Sequence, residues 1–220
     1  MPFNPVDESF DLTYDEGVFL VKLARNAITR YLKDSIIIKP PMDTPEKLKR
    51  KSGVFVTLNI IEKSGRKNLR GCIGYPEPIL PLVNATIDSA INAAVEDPRF
   101  PPLTIDELDK VVIEVSVLTP LQLIRVSKPE EYPKNIKVGV DGLVVEYRWN
   151  KGLLLPQVPV EYGWDSEEFL SHCCVKAGLP PDYWLLPETK IFKFTCIIAE
   201  ELEPNGRIVV KNLWKNSSTS

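Results

Sequence analysis

The chain has 220 residues, 27 Lys and Arg against 30 Asp and Glu, a formal net charge of −3, and 44% hydrophobic residues. That is long enough to bury a core and too acidic for a general binder of nucleic acid, which needs a positive field for phosphate. No apolar run approaches the roughly 20 residues of a spanning helix, and residues 1–15 lack the basic start and apolar centre of a signal peptide. The expectation is a cytoplasmic protein with no membrane attachment.

Cys72, Cys173, Cys174 and Cys196 form no C-x-x-C pair, and His172 is the one histidine. A structural zinc site is therefore not expected, and no cofactor is implied. Glutamine occurs only at Gln122 and Gln157, a depletion of thermolabile amides seen in proteins from hot environments. The densest basic run, Lys47 to Lys51, reads as the solvated end of a short helix.

Thr13-Tyr14-Asp15-Glu16 is a capping box. It opens a helix with Val18, Val21, Ala24, Ile28 and Tyr31 on one stripe. Thr44-Pro45 reads as the start of a second, short helix ending before Gly53. Residues 54–61 read as a strand that Ser64-Gly65 turns back into another ending at Gly74, a β-hairpin. A helix comes next over about 79–96, with Leu80, Val83, Ile87, Ala90, Ile91 and Ala94 inward. Three prolines stiffen the loop 97–102.

Thr104-Ile105-Asp106-Glu107 is another capping box, and residues 111–118 alternate as a strand. Asp141-Gly142 and Asn150-Lys151-Gly152 read as turns of two further hairpins. A helix is expected over about 166–177, closed by Gly178 and Pro180, and a last strand over 191–198. Hairpin-linked strands among helices indicate an α+β fold with a mainly antiparallel sheet flanked by helices. The chain reads as one domain, its core at about 13–198, with a polar tail at 216–220.

Leu69-Arg70-Gly71-Cys72-Ile73-Gly74 carries the strongest functional signal. In a regular strand Arg70 and Cys72 share a face, where the cation would lower the thiol pKa. Gly71 and Gly74 would let a ligand or another backbone come close. This hexapeptide, joined to Asp97-Pro98-Arg99-Phe100-Pro101-Pro102-Leu103, to Leu153-Leu154-Leu155-Pro156-Gln157-Val158 and to Lys176-Ala177-Gly178-Leu179-Pro180, resembles the AMMECR domain family. The family takes its name from the chromosomal region tied to Alport syndrome, midface hypoplasia and elliptocytosis. The resemblance implies a larger and a smaller lobe and no settled activity. The family's association with Memo-like and radical SAM domains in some prokaryotes suggests a role near redox or modification chemistry.

Two functions stand open. The favoured one is a binding or scaffolding domain for a small anionic ligand or a partner's peptide. Its groove would be built from residues 70–74, the loop 97–102 and the segment 157–164, with Arg70, Gly71, Gly74, Arg99, Phe100 and Gln157 as contacts. The alternative is an enzyme with Cys72 as nucleophile, Arg70 as activating cation and Glu161 as acid–base group. Each residue also has a plainer role. Cys72 would be a small buried residue, Arg70 half of an ion pair with Glu114, Asp97 or Glu161, and Arg99 and Phe100 a clamp at a helix end. His172 falls beside the inward stripe of its helix, toward solvent.

Overall fold

The computed structural model describes residues 11–213, so the polar tail lies outside the described residues. The chain forms two compact units. The first holds residues up to Leu118 together with Ile197–Lys211, and the second is built from Thr119–Cys196 together with residues 212–213.

The first unit begins with α1 (Tyr14–Asp34), capped as expected. Thr13 Oγ1 accepts the Glu16 N–H at 3.2 Å and Glu16 returns a carboxylate to the Thr13 N–H at 2.8 Å. A single 3-10 turn at Glu46–Lys49 replaces the expected short helix. Thr44 does not cap it, because its hydroxyl donates to the Pro41 carbonyl at 2.6 Å. Then come β1 (Val54–Ile61), β2 (Lys67–Tyr75), α2 (Leu82–Val95), α3 (Ile105–Leu108) and β3 (Val111–Leu118). Helix α2 starts later than its apolar stripe suggests. Pro76, Pro78 and Pro81 keep the approach extended, and the Leu82 N–H donates to the Arg50 carbonyl at 2.8 Å.

The second unit holds β4 (Gln122–Leu123), β5 (Gly142–Tyr147), β6 (Asn150–Leu154), α4 (Gln157–Tyr162), α5 (Ser166–Lys176) and β7 (Lys190–Phe194). The chain then returns to the first unit as β8 (Cys196–Glu201) and β9 (Ile208–Asn212). The expected single strand over 191–198 is thus two strands in two sheets, broken at Thr195, whose N–H donates to Thr119 Oγ1 at 2.9 Å.

Both sheets are antiparallel, ordered β2-β1-β3-β8-β9 in the first unit and β4-β7-β5-β6 in the second. In the first, Val54, Val56 and Leu58 of β1 are fully buried in a core shared with α1 and α2. In the second, Leu143, Val145, Phe169, Leu170, Cys173 and Ile191 form a separate core. Asp141-Gly142 is not a hairpin turn. Asp141 accepts the Lys137 N–H at 2.8 Å, and Gly142 opens β5 beneath the Phe194 ring. The β5–β6 hairpin exists, but it turns at Arg148-Trp149, two residues earlier than Asn150-Lys151-Gly152 suggests. No helix among the described residues is long and apolar enough to cross a membrane.

Candidate functional site

The hexapeptide lies on β2, the edge strand of the first sheet. Its register on β1 slips between Leu58, opposite Gly71, and Asn59, opposite Leu69, so Arg70 is the extra residue of a β-bulge. A bulge breaks the alternation on which the shared-face expectation rests, and Arg70 and Cys72 have different partners. Cys72 stands opposite Thr57, which in turn stands opposite Glu114 of β3. Thr57 Oγ1 contacts Cys72 Sγ at 3.2 Å.

Arg70 is buried, and its Nε and Nη2 fork onto Glu107 at 3.3 and 3.2 Å. Its partner is therefore none of Glu114, Asp97 or Glu161. Glu107 also closes the capping box of α3 by accepting the Thr104 N–H at 3.1 Å. That amide first, and Arg70 next, hold its carboxyl below the usual carboxylate range.

The loop after α2 supplies the other half of the site. Asp97 is buried, and Arg99 grips it through Nε at 2.9 Å and Nη2 at 2.7 Å. Asp97 Oδ2 accepts the Cys72 N–H at 2.8 Å while Arg99 Nη2 donates to the Cys72 carbonyl at 3.2 Å. An acid and a base two residues apart thus take both outward backbone groups of an edge-strand residue, the places an added strand would fill. The Arg99 guanidinium, with help from the Cys72 amide, holds the Asp97 pKa at about 2.

Phe100 is half-buried and carries both cations over its ring, Arg70 at 5.9 Å and Arg99 at 5.5 Å from the centroid. Those are cation–π distances. Arg99 is thus a clamp, as its plainer role has it, but one set on β2 instead of the carbonyls of α2.

Burial pushes the Cys72 thiol up, and this outweighs the Thr57 hydroxyl and the charge of Arg99. The expectation that Arg70 lowers this pKa is corrected on both counts: the direction is upward, and the cation that acts is Arg99. Burial likewise raises Cys173 to about 12 and Cys174 to about 11, consistent with packing roles.

The glycines serve packing. A Cβ on Gly71 would sit 2.1 Å from the Ala93 carbonyl of α2, and one on Gly74 would sit 2.2 Å from the Val54 carbonyl. Of the two neighbours expected there, a ligand or another backbone, it is backbone that comes close at both glycines. Gln157 and Glu161 lie on α4 in the second unit, a short helix ended by Gly163. The first unit thus gathers Arg70, Cys72, Arg99 and Phe100. It adds Thr57, Asp97 and Glu107, of which Glu107 carried a sequence signal as a capping residue and Thr57 carried none.

A sequence model of the AMMECR1 family matches residues 21–199. The chain belongs to the AMMECR1 family. It is similar to family members from archaea. Protein PH0010 of Pyrococcus horikoshii is 58% identical over 204 residues, covering 93% of this chain and 98% of that one. A Thermococcus gammatolerans protein is 58% identical over 197 residues, 90% of this chain and 96% of its own. Protein MJ0810 of Methanocaldococcus jannaschii is 52% identical over 202 residues, 92% and 98%. The crystal structure of PH0010, titled as an uncharacterized protein, superposes with a TM-score of 0.87 and covers 92% of this chain and 99% of its own.

Proposed function

We propose that this AMMECR1-family chain is a binding domain whose ligand presents a carboxylate or phosphate to Arg99 and Arg70 beside Phe100. One observation carries the reading. Both guanidinium groups are clamped through Nε and Nη2, and neither Nη1 has a protein acceptor among the described residues. Arg99 is also half-exposed on its side chain, at 52%. Donors aimed and held in this way cost little ordering entropy when a ligand arrives. Each cation already faces a carboxylate, so recognition would rest on directed hydrogen bonds more than on net charge. A small anion and the acidic side chain of a partner protein share this chemistry. The free thiols of Cys72, Cys173 and Cys174 fit a reducing compartment, and we place the domain in the cytoplasm.

The test is a thermal-shift panel of di- and tricarboxylates and phosphomonoesters. At least one compound is expected to raise Tm, the shift is expected to vanish in Arg99→Ala, and it should survive in Cys72→Ser. A panel without hits would remove the small-anion form of the proposal. A hit lost in Cys72→Ser but kept in Arg99→Ala would put thiol chemistry, the enzyme alternative, ahead.

A further inference from the structure

The second unit carries a feature that the arginine site does not use. Tyr162, Trp164 and His172 form a continuous stack. The Tyr162 and Trp164 rings lie 4.9 Å apart at 16°, and Trp164 and His172 lie 3.7 Å apart at 7°. Trp164 is the middle rung and leans on the second core, so the stack ties α4 to α5. Its outer rung nonetheless faces water: Tyr162 is 68% exposed and its neighbour Val160 is 60% exposed. The six-residue α4, which ends on Gly163 in the left-handed region, thus buries Pro159 and leaves Val160 and Tyr162 facing outward. Val175, at 54%, lies one turn beyond exposed His172 on α5 and extends the surface.

Charge narrows what can cover it. Residues 152–176 contain Glu161, Asp165, Glu167 and Glu168 against one cation, Lys176 in the last turn of α5. Asp165 and Glu168 are fixed as the capping box of α5, and Glu167 projects from its exposed first turn. A planar cation fits an aromatic face of this sign. A guanidinium stacks on rings and forks onto carboxylates, whereas an ammonium is more strongly hydrated and does neither as well.

We infer that the Tyr162–Trp164–His172 face docks an arginine-bearing basic segment of a partner protein, one guanidinium stacking on Tyr162 with the acidic residues around it. The inference is independent of the anion site, which belongs to the other unit.

Because His172 is the only histidine, its ring protons give a single NMR reporter on the stack. The probe is acetyl-tetra-arginine amide, titrated into the full chain at fixed pH and 150 mM salt, with acetyl-tetra-lysine amide as control. Tetra-arginine is expected to shift the imidazole signals saturably and to bind at least fivefold more tightly than tetra-lysine. Tyr162→Ala, confirmed folded by circular dichroism, should weaken binding at least fivefold, while Tyr162→Phe should stay within twofold of the parent. The proposal fails if the imidazole signals do not move, or if the two peptides bind alike and Tyr162→Ala changes nothing, which would leave charge alone. It also fails if oligo(dT) moves the signals at lower concentration than tetra-arginine.

Discussion

Asp97 decides the character of the hexapeptide more than the cysteine within it. Its carboxylate and the Arg99 guanidinium close the β2 edge at Cys72, and the thiol, pushed up by burial, sits behind that closure. The sign of the pH dependence is set by the same pair. The Asp97 pKa falls from 3.8 to about 2 on folding, so its contribution is fully present above the unfolded value and is lost as pH drops through the folded one. That depression corresponds to about 2–3 kcal/mol. Asp97→Asn should therefore lower stability at pH 7 by about that amount and flatten the decline of Tm between pH 4 and pH 2. Thermal melts across that range check both effects.

The elements show what can be seen in a linear pattern. Capping boxes at Thr13 and Thr104 were visible because a hydroxyl and a glutamate three residues apart carry their own geometry. The bulge at Arg70 was not, since it is set by how β1 and β2 slide past each other and leaves no mark in either strand. Without it, alternation wrongly joined Arg70 to Cys72. Thr195 hid for a related reason: Phe192, Phe194 and Cys196 keep period two straight through the point where the chain changes sheet. Gly71, by contrast, announced a close approach but not of what, and the answer is the backbone of α2. Gly71→Ala should cost about 1–3 kcal/mol, the usual penalty of overpacking, because a backbone carbonyl 2.1 Å from the new Cβ cannot swing aside. Gly65→Ala meets open space at φ +84 and should cost only its left-handed backbone, about 1–2 kcal/mol. Equilibrium urea unfolding of the two variants, monitored by far-UV circular dichroism, compares them.

For the whole molecule, composition and turn chemistry led to an α+β fold, and the resemblance to a family led to a second lobe. What linear reading could not supply is the partition of the chain, because the residues that close the first sheet come after every strand of the second unit's sheet. That partition gives two separate cores. Trp149, Trp164 and Trp184 belong to the second unit and Trp214, the fourth tryptophan, lies outside the described residues, so in a Trp214→Phe background tryptophan fluorescence reports on the second unit. Leu143→Ala, in the second core, should lower the fluorescence midpoint in urea by the equivalent of about 2–5 kcal/mol. Leu58→Ala, in the first, should act chiefly on the circular-dichroism signal of α1 and α2. Coincident shifts in both probes for both variants would show instead that the units unfold as one.

The buried pair of Arg25 and Glu201 gives that partition a consequence during synthesis. Arg25 binds Glu201 through Nε at 2.7 Å and also donates to the Val111 carbonyl at 2.6 Å, across a separation of 176 residues for the carboxylate. On a ribosome the arginine is made long before its carboxylate, and a buried guanidinium without an anion is strongly unfavourable. The first unit must therefore wait, its sheet open beside β3, while every strand of the second is translated. The part of the chain begun first is the last that can close.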